Sequence, residues 1–144
     1  MNIAIGADHA GVALKDLIVA HLMARGCHVE DFGTHDTASV DYPDHGRPVA
    51  LAVANGEVDR GILVCGTGQG MCMTANKVPG VRAAVVSEPF SARMATLHND
   101  ARVLCLGSRV VGQSVAMECV DAWLDAEFEG GRHARRVAKM TGDH

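Results

Sequence analysis

The sequence predicts an α/β fold: a three-layer, doubly wound sheet of five parallel strands with helices on both faces and one further helix at the C-terminus. Three observations carry this. Five short apolar runs recur along the chain, amphipathic segments separate them, and glycine or proline punctuates the joins. Runs that are nearly continuous in apolar character, instead of alternating, are expected of strands buried on both faces of a parallel sheet. Strict alternation of strand and helix with short connections implies crossovers that return to the same sheet, with ligands bound beyond the carboxyl ends of the strands.

The first strand is expected at 3–5. A helix over 12–24 follows, with Leu14, Ile18 and Leu22 at fourfold spacing and Gly26 as its stop. The second strand spans 29–32. Pro43, after Asp41 and Tyr42, opens a second helix whose clearest pattern is 49–53, and Gly56 ends it. The third strand, 61–64, runs into a glycine-rich loop and a helix-like stretch to Lys77. Strands at 83–86 and 103–106 alternate with helices at 90–97 and 115–123. After the Gly130-Gly131 break, 131–141 reads as a separate short helix, placed to fold back or to contact a partner subunit. No internal repeat or low-complexity linker divides the chain, so 1–144 is expected to form one domain.

Composition removes several function classes. The net charge of -4 offers no general attraction to nucleic acid. No apolar run approaches the roughly 20 residues that span a bilayer, so no membrane association is expected. The N-terminus lacks the order of a secretory signal, which makes the cytoplasm the expected location. Cys27, Cys65, Cys72, Cys105 and Cys119 form an odd set without a CxxC pair, an argument against both a disulfide framework and a zinc knuckle. An anionic ligand must therefore meet local positive charge, which is concentrated in Arg132, His133, Arg135, Arg136 and Lys139.

Candidate functional residues cluster at the strand ends. Asp8 and His9 follow the first strand, two acid-base groups at the mouth of the sheet. The structural alternative is that Asp8 caps the first helix and His9 lies in its first turn. Gly6 and Gly11 do not complete a GxGxxG fingerprint, so a nicotinamide cofactor is not expected, although Asp31 stands where a ribose ligand would. The third strand ends in Cys65, Gly66, Thr67, Gly68, Gln69 and Gly70. Three glycines in five residues cost backbone entropy and suggest positive dihedrals or main-chain amides close to a ligand. Amides at a helix N-terminus suit a phosphate or a developing oxyanion, and the Gly-Lys-Ser/Thr ending of a Walker loop is missing. Cys65 sits at the loop entrance, where a helix terminus is expected to favour the thiolate. The other four cysteines read as buried structural thiols. His98 and Asn99 taken alone read as a helix end, histidine being favourable at its negative pole. Arg132 and Arg136, four apart, share a helical face and form a candidate phosphate clamp, whereas Arg135 and Lys139 read as a solvated basic face.

Taken together, Asp8-His9 with Gly11, Asp41-Tyr42-Pro43, Cys65-Gly66-Thr67-Gly68 with Gly70, Ala75-Asn76-Lys77, Ser87-Glu88-Pro89, His98-Asn99-Asp100, Gly107-Ser108-Arg109 and Glu129-Gly130-Gly131-Arg132-His133 resemble the ribose-5-phosphate isomerase B group, which includes the galactose-6-phosphate isomerase subunits. The resemblance covers almost the whole chain. It implies a Rossmann-like fold without a dinucleotide and a homodimer or homotetramer with active sites shared between subunits. It also implies aldose-ketose isomerisation of ribose 5-phosphate and ribulose 5-phosphate through a cis-enediol, with neither metal nor organic cofactor. Cys65 would be the base; Thr67 and the loop amides, from Gly66, Gly68 and Gly70, would hold the enediolate oxygens. Asp8 and His98 would open the sugar ring, Asn99 and Tyr42 would bind hydroxyls, and His9, Arg109, Arg132 and Arg136 would grip the phosphate. Met71 stands where one branch carries a glutamate base, which puts this chain in the thiol branch. Gln69, Met71 and Cys72 differ from the residues common in the ribose 5-phosphate enzymes. Tetrulose 4-phosphate, allose 6-phosphate and galactose 6-phosphate therefore remain alternative substrates, and a non-catalytic phosphate sensor is the alternative of another class.

Overall fold

The computed structural model describes residues 1–142. Within them the chain runs β1 (Asn2–Ala7), α1 (Val12–Ala24), β2 (His28–Asp31), α2 (Tyr42–Ala54), β3 (Arg60–Cys65), α3 (Gln69–Asn76), β4 (Ala83–Val85), α4 (Pro89–Leu97), β5 (Val103–Gly107), α5 (Gln113–Asp125) and α6 (Arg132–Thr141). The last two residues of the expected 1–144 domain lie outside the described residues. All strand pairs are parallel, in the order β2-β1-β3-β5-β4.

Side-chain alternation along the three central strands divides the core into two layers. Ile3, Ile5, Ile62, Val64, Leu104 and Leu106 face α1, α4 and α5. Ala4, Leu63, Cys65, Val103 and Cys105 face α2 and α3. The expectation that all five strands are buried on both faces fails for two of them. In β2, His28, Glu30 and Asp31 are exposed, and β4 is only partly buried. These are the sheet edges, where one flank has no neighbouring strand and polar side chains keep the edge soluble.

The second helix begins earlier than its apolar pattern suggests, at Tyr42, because its first turn lies near the sheet's upper rim, where burial is not required. Gly26 and Gly56 do end their helices. Both take positive φ, and the amides of Cys27 and Glu57 reach back to the carbonyls of Leu22 and Ala52. On the lower layer Trp123 is fully buried, its indole N–H donating to the Ala101 carbonyl at 2.7 Å. The Arg60 guanidinium lies 5.0 Å from the centre of that ring and donates to the Trp123 carbonyl.

Lys15 is buried in α1, and its ammonium donates to Asp31 at 2.6 Å and to Asp16 at 3.0 Å. Burial alone would lower its pKa, but the two carboxylates outweigh that and leave it raised. Asp31 also accepts the Gly33 N–H, so the residue placed where a ribose ligand would stand is instead committed to anchoring the edge strand. α6 makes few contacts with the other helices and strands, and rests on them through His133, which is buried against His98.

Candidate active site

Cys65 is the last residue of β3, 6% exposed, on the α2/α3 side of the sheet. The chain leaves it through a tight turn: Gly68 has φ +79°, caps α3, and its N–H donates to Cys65 Sγ at 3.2 Å. The Thr67 hydroxyl accepts the Gln69 N–H at 3.3 Å and faces solvent. The turn is fixed against the end of β5. Ser108 N–H donates to the Cys65 carbonyl at 2.9 Å and Arg109 N–H to the Gly66 carbonyl at 3.0 Å. A Cβ on Gly107 would stand 2.6 Å from the Thr67 carbonyl carbon, so only glycine permits this approach. The Arg109 guanidinium lies over Gly66, and the Tyr42 ring covers Gly70 so closely that no side chain fits there.

The end of β1 arrives at the same rim. Asp8 N–H donates to the Val64 carbonyl at 3.2 Å. The Asp8 carboxylate accepts the amides of Ala10 and Gly11 at 3.0 and 3.2 Å, closing a turn ahead of α1. It does not cap the helix; Gly11 occupies that position, close against the Val64 carbonyl. His9 therefore lies before the helix, and its Nδ1 accepts the Val40 N–H at 3.2 Å, tying down the segment that leads to Tyr42. The rim of the sheet thus gathers Asp8, His9, Tyr42, Cys65, Gly66, Thr67, Gly68, Gly70 and Arg109. Backbone amides and one guanidinium, donors of the kind that suit an anion, stand there with a thiol, a carboxylate and an imidazole beside them.

Four of the candidates lie elsewhere in the chain. His98 ends α4 and Asn99 follows it, at the amino end of β5. β3 alone is roughly 17 Å long at the usual strand rise, so His98 and Asn99 stand a sheet length away from Cys65. Arg132 and Arg136 are exposed on α6, which starts beside His98: the His98 and His133 rings stack with centroids 4.1 Å apart. Arg82, which the sequence reading missed, holds this lower group. Its guanidinium donates to the carbonyls of Asn99 and Asp100 and, at 2.9 Å, to the Asp100 carboxylate, while Asp100 itself has φ +47°. A lone arginine ahead of a short strand carries no local signal of that role.

The four remaining cysteines divide. Cys105 and Cys119 are buried, and burial pushes both thiols up, Cys119 to about 11. Cys27 and Cys72 are only partly buried, contrary to expectation. A hydrogen bond from the Cys105 thiol outweighs burial and holds Cys72 down to about 7. Cys72 lines a groove of about 340 Å³ beside Thr67, Gln69, Val85, Ser87 and Val110. That groove touches the glycine loop but not Cys65, and its apolar side continues onto the β4 edge. No helix among the described residues is long and apolar enough to cross a membrane.

Residues 3–140 match the family described as Ribose/Galactose Isomerase. The chain is 56% identical over 140 residues to ribose-5-phosphate isomerase B of Escherichia coli, covering 97% of this chain and 94% of that protein. It is 47% identical over 141 residues to D-erythrulose-4-phosphate isomerase of Pectobacterium atrosepticum, covering 97% and 93%. The solved ribose-5-phosphate isomerase B of Clostridium thermocellum superposes with a TM-score of 0.97 at 57% identity, covering 99% of this chain and 96% of that one.

Proposed function

The chain belongs to the ribose/galactose isomerase family, and from that premise we propose that it interconverts ribose 5-phosphate and ribulose 5-phosphate, with Cys65 as the base. The observation that carries the role of Cys65 is its seat: a thiol at the carboxyl end of a central strand, its sulfur on the Gly68 amide, opening a loop of N–H groups suited to an oxyanion. Cys65 as thiolate removes the proton from C2 of the open aldose. The C–H electron pair forms the C1–C2 double bond, and the carbonyl oxygen on C1 becomes an enediolate oxygen held by Thr67 and the loop amides. The C2 hydroxyl proton passes to the C1 oxygen, the C2–O bond becomes a carbonyl, and the electron pair of the C1–C2 double bond takes the proton back from the Cys65 thiol at C1, completing the ketose. Asp8 and His98 assist ring opening, Tyr42 and Asn99 hold hydroxyls, and His9, Arg109, Arg132 and Arg136 bind the phosphate. Neither metal nor organic cofactor enters this scheme.

The site is shared between copies of the chain. His98, Asn99, Arg132 and Arg136 belong to one end of the sheet and Cys65 to the other, so a second copy brings its lower end to the first copy's rim. A homodimer is the smallest assembly that does this, and a homotetramer is a pair of such dimers. Supporting the pairing, Met73, Val85, Phe90 and Val110 leave large apolar side chains exposed around the β4 edge. The free thiols favour a reducing compartment, the cytoplasm.

Incubation with each pentose phosphate in heavy water tests the reaction. Interconversion with label at C1 or C2 is expected; neither product nor label would remove the substrate. The similarity to an erythrulose-4-phosphate enzyme supports one second reading, the same chemistry on a four-carbon substrate. Comparing kcat/KM for the four- and five-carbon phosphates decides between them.

A further inference from the structure

His98 and Asn99 stand where α4 gives way to β5, and a side chain from outside that turn holds its backbone. The Arg82 guanidinium reaches across from the residue before β4. Its Nε donates to the carbonyls of Asn99 and Asp100 at 3.2 and 3.0 Å, and its Nη2 to the Asp100 carboxylate at 2.9 Å. The Arg82 side chain is 18% exposed and that of Asp100 22%, so this fork is largely shielded from competing water. The turn it holds is an uncommon one. Asp100 has φ +47°, the one non-glycine residue with positive φ among the described residues, and its N–H returns to the Thr96 carbonyl at 3.2 Å. Helices that end in this way usually place glycine there. Arg82 is itself anchored. Its carbonyl accepts the Val103 N–H at 3.3 Å, and the neighbouring Ala83 exchanges hydrogen bonds with the Asn76 side-chain amide at 2.9 and 3.0 Å. His98 and Asn99 thus keep accessible side chains on a pinned backbone.

We propose that Arg82 is a positioning residue for the isomerase: by fixing the turn after α4, it presents His98 and Asn99 in the orientation that opens the sugar ring. The inference rests on the ring-opening role given to His98 above. In that step the C1 hydroxyl gives up its proton, the C1–O4 bond breaks, and O4 takes a proton. Two oxygens must therefore be met at hydrogen-bond distance by groups that move protons. Misplacing such a group by about 1 Å costs about 10²-fold in rate. Lysine cannot replace the fork that prevents this, because it brings one nitrogen where the guanidinium brings two in a fixed plane.

The two sugar phosphates separate this role from the rest of the catalysis. Ribose 5-phosphate rests as a closed ring, whereas ribulose 5-phosphate stays open because its phosphate occupies the oxygen that would close one. Deuterium exchange from heavy water into C1 of ribulose 5-phosphate therefore needs the base and no ring opening.

The test measures both reactions on the full-length assembled protein. Arg82→Lys should slow ribose 5-phosphate turnover at least about tenfold more than it slows the exchange. Asp100→Gly removes the carboxylate from the fork yet accepts φ +47° without strain, so it stays informative if Arg82→Lys fails to fold, and the same selective loss is expected. Equal slowing of both reactions, or no slowing of either, overturns the inference, since a merely structural arginine moves both together. His98→Ala is the reference. If it shows the selective loss and Arg82→Lys does not, the role of Arg82 alone falls. If His98→Ala spares ribose 5-phosphate turnover, the ring-opening role of His98 falls and Arg82 has nothing to position.

Discussion

The Gly68 amide donates to the sulfur of Cys65 across 3.2 Å, so the residue that starts the glycine loop is also held by it. Replacing Cys65 with Ser or Ala should leave the strand intact and remove the proposed base. We expect kcat to fall by about 10²–10⁴-fold, the range of general-base contributions, with little change in melting temperature. Turnover in a coupled assay beside circular dichroism measures both, and a loss under tenfold would reassign the base.

Two inactive variants should repair each other. In the proposed shared site, Cys65→Ser lacks the upper half and His98→Ala the lower half, so a mixed dimer would contain one complete site. Random reassociation of equal amounts should restore about a quarter of the parent activity, because half the dimers are mixed and each has one working site of two. Activity that stays at the level of the separate variants would place each site within a single chain.

Gly107→Ala drives a Cβ into the Thr67 backbone, 2.6 Å away, at the junction of β5 with the glycine loop. Overpacking against main chain that cannot rotate aside costs about 1–3 kcal/mol. The expected result is a lower denaturation midpoint together with a kcat loss larger than that of Gly112→Ala, a position with open space around it. Equal behaviour of the two variants would show that the contact does not position the loop.

Acid sensitivity should pass partly through Asp121. Burial pushes its carboxyl up, but His21 and Arg25 outweigh that and hold it below the usual range. The folded state therefore binds this proton less readily than the unfolded chain. Its contribution is complete above the ordinary carboxylate pKa near 4 and is lost as the pH falls through the lower folded value. Asp121 is 40% exposed, so solvent screening keeps the effect below about 1 kcal/mol. Asp121→Asn should melt slightly below the parent at pH 7, with the gap closing in acid; a gap that widens in acid contradicts the assignment.

Alkylation should find Cys72 before Cys105 or Cys119. With Cys72 held at about 7 by the Cys105 thiol and Cys119 pushed to about 11, iodoacetamide at pH 7.5 should modify Cys72 while the buried pair stays unlabelled. Peptide mass spectrometry reads the order, and early labelling of Cys119 would contradict it.

The sheet was legible because its central strands are long apolar runs bounded by helices, and Gly26 and Gly56 stop those helices by a backbone geometry that favours glycine. The edges were less legible. β2 reads apolar at Val29 and Phe32, yet its exposed residues follow from strand order, which local pattern does not encode. The rim was visible because Asp8, Cys65 and Arg109 each stand at, or within two residues of, the carboxyl end of a strand. The distance from His98 to Cys65 was not, since it depends on which way α4 runs against the sheet. The role of Arg82 arises from a contact across 18 residues of sequence, too far for spacing to report.

The placement of reactive groups at opposite ends of one sheet has a genetic counterpart in the proposed dimer. A subunit damaged at one end spoils one site of a mixed pair and leaves the other working, so such an allele behaves as partially recessive. A subunit damaged at both ends silences both sites of any intact partner it captures, and that allele is dominant.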